Sequence, residues 1–128
     1  MQLGIKGETK VKVNASNTAE ALKSGLLPVF ATPMMVALME DAAAKSVQPH
    51  LIEGQTTVGT LVNVKHLSAT PEGMEVRAES ELIEVDGRRL VFDVRAYDES
   101  GLVGEGKHER FIIDAERFME KTRAKASK

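Results

Sequence analysis

The sequence predicts an α+β domain in which an antiparallel β-sheet wraps around one long central α-helix. Two observations carry this prediction: an apolar segment at residues 33–47, and four segments after residue 56 that alternate apolar and polar residues. Alternation with a period of two is typical of strands with one buried face. The apolar faces of hairpin-linked strands need a cover, and only the segment at 33–47 is apolar enough to provide one.

The chain before the long helix predicts one strand and one short helix. Residues 3–13 alternate weakly and end in a Lys-Val-Lys-Val run, which is typical of a strand. Asn17 or Thr18 can cap a short helix over residues 19–23, because both side chains accept hydrogen bonds from free N–H groups at a helix start. A Ser-Gly pair follows and predicts the end of this helix.

Thr32 followed by Pro33 predicts the start of the long helix. Threonine is a good N-cap residue, and proline in the first turn loses only an N–H group that has no partner there. Pro49 predicts the end of the helix, because proline cannot continue it. We therefore expect a helix over residues 33–47 with Thr32 as its N-cap.

Four strands are predicted after this helix, over residues 57–68, 74–85, 90–97 and 102–113. The turn signals between them are Pro-Glu-Gly, then Asp-Gly, which is the strongest hairpin signal in the chain, and then Ser-Gly. The alternation in the first of these strands places on one face Val58, Thr60, Val62, Val64 and His66. The segment 115–128 predicts an amphipathic helix whose end frays.

Composition restricts the class of protein. The 128 residues suit one domain, 1–128, with a full hydrophobic core. A net charge of −2, with four Phe, one Tyr and no Trp, provides no basic or stacking surface for nucleic acid. The N-terminus has no signal-peptide pattern, and the longest apolar run is too short to span a membrane. Because the chain has no cysteine, we expect no disulfide or thiolate chemistry and a cytoplasmic protein.

Glu40 is the most unusual residue of the long helix. On a helical wheel it stacks with apolar residues, whereas Asp41 stacks with Lys45 on a solvated edge. A carboxylate on an apolar face is costly unless it has a partner or a catalytic task. The pattern alone leaves two interpretations open: an active-site carboxylate, or a residue that borders the solvent face beside Asp41.

Thr32, Glu40 and His66 form the first candidate site. Thr32 and Glu40 lie two helical turns apart, about 12 Å along the axis and on similar sides. His66 lies on the strand face that should pack on a helix, and a buried His and Glu can together move a proton near neutral pH. The alternatives are a core histidine bonded to a backbone carbonyl, and a threonine that only caps the helix.

Two glycine-containing segments are further candidates. Gly59 would allow a backbone N–H to approach a ligand carbonyl, although a bulge or a strand start explains it equally well. Gly104 and Gly106 leave one strand face bare, and we expect a helix to pack closely there. Lys107 and Arg110 on the same strand are interpreted as solvated charges. The three histidines lack metal-ligand spacing, so we expect no metal site.

The order of these elements resembles the hotdog fold, and the residues resemble the fluoroacetyl-CoA thioesterase-like family within it. The similarity extends over about residues 26–118. The matching segments are Val29-Phe30-Ala31-Thr32, Met35-Val36, Leu38-Met39-Glu40, Gly59-Thr60, His66, Ala69-Thr70-Pro71, Val85-Asp86-Gly87-Arg88-Arg89-Leu90 and Gly106-Lys107-His108-Glu109-Arg110.

The resemblance implies an acyl-CoA thioesterase that acts on a small-acyl CoA as a homodimer, with its site where two subunits meet. The family's catalytic residues fall on Thr32, Glu40 and His66, and its carbonyl-binding glycine falls on Gly59. Glu40 is then either the nucleophile or the base that activates water, and His66 transfers protons. Coenzyme A is part of the substrate, and we expect no further cofactor.

The sequence departs from the family in the segment before the long helix, and two alternative functions remain open. Where members specialised for fluoroacetyl-CoA carry a phenylalanine-bearing lid, this chain has Lys23 and Leu26. The first alternative is a hotdog hydratase or dehydratase, which also pairs a histidine with a carboxylate. The second is a dimer that binds acyl-CoA without catalysis.

Overall fold

The computed structural model describes residues 1–127, and its helices and strands follow the predicted order. They are β1 (Lys6–Lys12), α1 (Ala19–Leu22), α2 (Thr32–Val47), β2 (Gln55–His66), β3 (Glu75–Asp86), β4 (Arg89–Asp98), β5 (Gly101–Asp114) and α3 (Ala115–Ala124). Short 3₁₀ turns follow α2 at Gln48–His50 and α3 at Lys125–Ser127.

The five strands form one antiparallel sheet in the order β1-β3-β4-β5-β2. Tight hairpins join β3, β4 and β5, as the turn signals predicted. The connection between β2 and β3 is not a hairpin, because β2 pairs with β5 while β1 occupies the place beside β3. β1 and β2 are therefore the two edge strands.

Helix α2 lies on one face of the sheet, and the prediction of a central helix is confirmed. It packs mainly against β1 and β3. Its buried side chains are Met35, Met39, Ala42, Ala43 and Val47. They join a core contributed by the strands, which includes Val76, Ala78, Leu82, Leu90, Phe92, Val94, Ala96 and Val103. Removing this apolar surface from water stabilises the contact between helix and sheet.

The start of α2 differs from the prediction. The helix begins at Thr32, its N-cap is Ala31, and no side chain caps it. Instead, the Ala31 carbonyl accepts the first hydrogen bonds, from the N–H groups of Met34 and Met35. The prediction that Thr32 is the N-cap is therefore wrong, and its hydroxyl is free to bond elsewhere.

Strand β2 contains a bulge next to Gly59, which is one of the alternatives that the sequence left open for this glycine. Gly59 pairs with Arg110, and Leu61 pairs with the residue just before Arg110, so Thr60 is an extra residue in β2. Such a bulge shifts the alternation of side chains by one position.

The bulge changes which residues of β2 share a face. Thr57 is buried, and a Cβ atom on Gly59 would point toward the Glu40 side chain of α2. These two residues therefore lie on the same side as His66. The prediction that Val58 and Thr60 lie on that face is wrong, because it assumed an unbroken alternation.

Gly104 and Gly106 leave one face of β5 without side chains, and a different element packs closely against each glycine. A Cβ atom on Gly104 would lie 2.5 Å from Met35 Sδ, so α2 packs closely there, as predicted. A Cβ atom on Gly106 would instead lie 2.2 Å from the Asn63 carbonyl oxygen and 2.6 Å from Val64 Cα, both in β2. The close neighbour at Gly106 is therefore the strand backbone and not the helix.

The C-terminal helix is observed where it was predicted. The Asp114 side chain caps α3 by accepting a hydrogen bond from the Arg117 N–H group. The α-helix ends at Ala124, and Lys128, the last residue of the predicted frayed tail, lies outside the described residues. Among residues 1–127, no helix has the length and apolar character needed to cross a membrane.

We predict that Gly106→Ala lowers the free energy of unfolding more than Gly104→Ala does. The clash at Gly106 is with backbone atoms of β2, whereas at Gly104 the flexible Met35 side chain is able to shift. Overpacking of this kind costs about 1–3 kcal/mol. Urea unfolding of both variants beside the wild type measures the difference, and an equal or reversed order would contradict the packing described above.

Candidate active site

Thr32 and His66 form the first polar pair of the site. His66 is the last residue of β2, and its Nδ1 atom lies 2.7 Å from the hydroxyl oxygen of Thr32 at the start of α2. Because Thr32 does not cap the helix, its hydroxyl is available to orient the imidazole. The Nε2 atom of His66 is buried and has no hydrogen-bond partner among the described residues. Burial lowers the pKa of His66, so the ring is neutral near pH 7.

A cavity of about 250 Å³ opens beside this pair. Its lining includes Val29, Phe30, Thr32, His66, Leu67 and Ser68. The segment just before α2 forms one side of it, and that segment carries exposed apolar residues: Leu26 is 90% exposed and Leu27 is 64% exposed. The Thr32–His66 pair thus borders a surface cavity with both polar and apolar lining, close to these exposed leucines.

Glu40 lies two turns further along α2, in a second polar cluster. Its Oε2 atom is 3.7 Å from Nη1 of Arg110, and its side chain is 38% exposed. A Cβ atom on Gly59 would lie only 2.6 Å from the same oxygen. A side chain at position 59 would therefore displace the Glu40 carboxylate, so the site requires glycine there.

Arg110 is held in place by three hydrogen bonds within the subunit. Its Nε atom donates to the Thr57 hydroxyl at 2.8 Å, and Nη2 donates to the Thr57 carbonyl at 3.0 Å. Its Nη1 atom lies 3.1 Å from Nε2 of His108. Arg110 is only 7% exposed, and an arginine keeps its charge in proteins even when buried.

We call the cluster of Glu40, Thr57, Gly59, His108 and Arg110 the Glu40 corner. It combines a buried cation with a partly exposed carboxylate that lies close to the Gly59 backbone, where no side chain would fit. A carboxylate held in this way can act as a base or as a nucleophile toward a ligand that reaches its exposed side. Such an arrangement favours chemistry at a polarised carbonyl.

The structure brings the predicted residues together in two pairs. Thr32 contacts His66, and Glu40 lies against Gly59. Within one subunit the two pairs are separated along α2 by about 12 Å, the length of two helical turns. The sequence left open whether Glu40 is an active-site carboxylate or borders the solvent face. The structure shows features of both, since its side chain is partly exposed but faces the buried Arg110. Asp41, by contrast, pairs with Lys45 at 2.9 Å on the solvated edge, as predicted.

Sequence reasoning missed three residues of the Glu40 corner: Thr57, His108 and Arg110. The interpretation of Arg110 as a solvated charge is wrong, because it lies on the inner face of β5. Lys107 is exposed and pairs with Asp93 on the outer face, which agrees with the interpretation. The available signal was the alternation of β5, in which Gly104, Gly106, His108 and Arg110 occupy every second position.

A second, larger cavity lies away from these residues. It has a volume of about 530 Å³ and is lined by residues of β1, β3 and β4, most of which are charged. It contains neither the Thr32–His66 pair nor any member of the Glu40 corner. Size alone therefore does not identify the site, and the polar constellation on α2, β2 and β5 is the stronger candidate.

We predict that the fold loses stability as the pH falls below about 6.5, through His66 and His108. Burial lowers the pKa of both folded residues, and for His108 the nearby Arg110 lowers it further. The unfolded chain therefore takes up protons near pH 6.5 that the folded chain does not, so stability is full above this pH and falls below it.

Thermal unfolding between about pH 8 and pH 5 measures this slope. His108→Gln should flatten it, whereas the matched control His50→Gln, which changes an exposed residue just after α2, should leave it as in the wild type. A wild-type protein whose stability stays constant over this range would contradict the prediction.

Comparison with known proteins gives the family. The model of a family described as fluoroacetyl-CoA-specific thioesterase matches residues 13–116. A fluoroacetyl-CoA thioesterase of Streptantibioticus cattleyicolor is 44% identical over 97 residues, which cover 76% of this chain and 70% of that protein.

Solved structures agree with the sequence comparison. A crystal structure of the fluoroacetyl-CoA thioesterase superposes with a TM-score of 0.92 at 37% identity, covering 98% of this chain and 97% of that one. A thioesterase-superfamily protein of Thermus thermophilus superposes with a TM-score of 0.91 at 30% identity, covering 98% and 93%. The predictions of fold and family are confirmed: the chain has the hotdog fold and belongs to the family of fluoroacetyl-CoA-specific thioesterases.

Proposed function

We propose that this protein hydrolyses the CoA thioester of a small carboxylic acid, with Glu40 acting at the acyl carbon. The observation that carries the proposal is the Glu40 corner. The carboxylate lies beside a buried guanidinium and packs against the backbone of Gly59, while its side chain is 38% exposed and so within reach of a substrate. Gly59 would contribute its backbone N–H to the thioester carbonyl, since β2 is an edge strand and part of its backbone points away from the sheet.

The class of reaction follows from the family, which makes the chain a thioester hydrolase. Neighbouring structures of the fluoroacetyl-CoA thioesterase were obtained with fluoroacetate and CoA, and with acetyl-CoA. A site that holds CoA and a two-carbon acid suits the small-acyl substrate proposed for this chain. Coenzyme A enters as part of the substrate, and the proposed chemistry uses protein side chains and water alone.

Glu40 has two chemically complete routes. As a nucleophile, its oxygen attacks the acyl carbon, the C–S bond breaks, and water then hydrolyses the mixed anhydride to the acid and free Glu40. As a base, it takes a proton from water while the resulting hydroxide attacks the acyl carbon. In both routes the CoA sulfur leaves and takes up a proton.

His66 and Thr32 are proposed to move and direct that proton. Because His66 is neutral near pH 7, its ring is able to accept a proton from water or pass one to the leaving sulfur. The 2.7 Å contact with Thr32 fixes the plane of the ring. The cavity beside the pair is suited to an acyl group or to the start of the CoA chain.

We further propose a homodimer formed along β2. This edge strand exposes residues 59–63 and offers unpaired backbone groups to a second copy. Antiparallel pairing of two β2 strands around Val62, limited to residues 61–63 after the bulge, would place Gly59 of one subunit near His66 of the other and leave the Gly59 N–H outside the ladder. The dimer would thereby join the Glu40 corner of one subunit to the Thr32–His66 pair of its partner, which the distance along α2 prevents within one chain.

The segment before α2 bears on the choice of acyl group. Lys23 has a left-handed backbone conformation, with φ of 59°, at the end of α1, and Leu26 extends into solvent. Neither is aromatic, so we propose that fluoroacetyl-CoA is not the preferred substrate. We also propose that residues 1–128 act as one domain in the cytoplasm, which fits a chain without cysteine.

We predict that Glu40→Gln lowers kcat for the best substrate of an acyl-CoA panel by about 100-fold or more. The panel should contain short, branched, aromatic and halogenated acyl groups, with CoA release as the readout. His66→Ala should also lower kcat, whereas the matched control Asp41→Asn should retain wild-type turnover, because Asp41 lies on the solvated edge.

Two outcomes would overturn this assignment. One is wild-type turnover in both Glu40→Gln and His66→Ala. The other is hydration of an enoyl-CoA without release of CoA, which would favour a hydratase. Single-turnover hydrolysis in ¹⁸O-labelled water identifies the nucleophile route if label enters the Glu40 carboxylate, which happens when water attacks the mixed anhydride at the Glu40 carbonyl; the base route leaves label only in the product acid.

We predict that inactive Glu40→Gln and His66→Ala subunits complement each other when mixed as dimers. Random mixing makes half of the dimers hybrid, and one of the two sites in each hybrid would contain both wild-type residues, so about a quarter of wild-type activity should return. Glu40→Gln mixed with itself serves as the control. If Glu40 and His66 of one subunit formed the same site, no activity would return.

A further inference from the structure

His108 is a buried residue of the Glu40 corner to which the proposed reaction assigns no task. It is fully buried on β5, and its ring stacks on Phe92 with a centroid distance of 6.2 Å and an interplanar angle of 29°. Its Nδ1 atom lies 2.8 Å from the Leu61 carbonyl oxygen, and its Nε2 atom lies 3.1 Å from Nη1 of Arg110.

These two partners permit only one form of the imidazole. A carbonyl oxygen only accepts hydrogen bonds, so Nδ1 must carry a proton and donate it to Leu61. A guanidinium only donates, so Nε2 must be unprotonated and accept from Arg110. His108 is therefore neutral with its proton on Nδ1, and a doubly protonated ring would place two donors and two positive charges against each other.

The two partners belong to different parts of the site. Leu61 follows the extra residue of the bulge in β2, and its carbonyl binds His108. The bulge sets the direction of the Gly59 backbone. Nη1 of Arg110 is the atom that faces Glu40 at 3.7 Å. The His108 ring also packs near Gly59, since a Cβ atom on Gly59 would lie 3.4 Å from its Cε1 atom.

We propose that His108 is a positioning residue, which in its neutral form couples the β2 bulge at Gly59 to the Arg110 guanidinium and so fixes Glu40 for catalysis. The proposal rests on the function proposed above, because it assigns Glu40 and Gly59 to the reaction. One rigid ring bridges the two groups, so a shift of the bulge and a shift of the guanidinium occur together.

The surroundings of His108 support its neutral state. The groups that face it are Arg110 on its own strand, Glu40 on α2, the Phe92 ring on β4 and the Leu61 backbone on β2, while the neighbouring Glu109 lies on the outer face of β5. Burial is the largest cause that lowers its pKa, and Arg110 adds to it, while the Leu61 hydrogen bond and the two carboxylates oppose them.

His108→Phe is the variant that tests the proposal, because it keeps an aromatic ring but removes both hydrogen bonds. We expect kcat to fall by about 10- to 100-fold with little change in KM, since a misplaced catalytic group costs this much. His108→Gln, whose amide can still accept from Arg110 or donate to Leu61, should recover part of the loss. Phe92→Leu is the matched control: it removes the stacking partner but no hydrogen bond, and should lower thermal stability without this loss of kcat.

Nitrogen NMR provides a second readout, which needs no substrate and reports the protonated nitrogen of the His108 ring directly. In the wild type near pH 7 the His108 ring should show the Nδ1–H form. In His108→Phe both the Gly59 amide signal and the Arg110 Nε signal should shift, whereas in Phe92→Leu both should stay close to the wild type.

The outcomes separate this proposal from the proposed function. If the wild type hydrolyses no thioester, the proposed function fails while the NMR signals still decide the coupling. If the wild type is active and His108→Phe keeps its kcat, positioning by His108 is wrong. A wild-type His108 ring that carries its proton on Nε2 or on both nitrogens would also overturn the proposal, even if the variant does not fold.

Discussion

The site depends on the bulge between Gly59 and Leu61 in β2. It shifts the alternation of the strand by one position, so that Thr57 and Gly59 face α2 on the same side as His66. Thr57 then provides two acceptors for the Arg110 guanidinium, and the Leu61 carbonyl becomes an acceptor for His108. Without the extra residue, the Thr57 hydroxyl and Gly59 would not share the face of His66, and the buried cation beside Glu40 would lack an acceptor that makes its burial tolerable.

Helix α2 carries the other half of the arrangement. Thr32 at its start and Glu40 two turns later point to different neighbours, one to the end of β2 and one to its bulge. Close contacts, such as that of Met35 with Gly104, set the distance between the helix and the sheet. A rigid element thus sets both polar clusters, which is the condition for catalytic groups that must be correctly placed before the substrate arrives.

Much of the fold was readable from the sequence, because turn signals and strand alternation report directly on hairpins and buried faces. The order of elements, the α2 cover and the proximity of Gly104 to a helix follow from these local patterns. Gly59 indicated a bulge as one alternative, but the faces of β2 were predicted from an unbroken period of two, which one extra residue shifts by one position. Thr32 was predicted both as a site residue and as the N-cap, and the N-cap prediction failed because local preference cannot show that a distant histidine binds its hydroxyl. Arg110 was missed because its charge suggested solvent, although its position relative to Gly104 and Gly106 placed it on the covered face.

In the proposed dimer, the thioester is hydrolysed between the Glu40 corner of one subunit and the Thr32–His66 pair of the other. A crystal structure with an acetyl-CoA analogue in which a methylene group replaces the thioester sulfur tests it most directly. We predict that the acyl carbonyl oxygen lies within hydrogen-bond distance of the Gly59 N–H group and beside the Glu40 carboxylate. The Thr32–His66 pair of the partner subunit should face it. An acyl group bound in the charged cavity of β1, β3 and β4, or only at Thr32 and His66 with Glu40 out of reach, would contradict it.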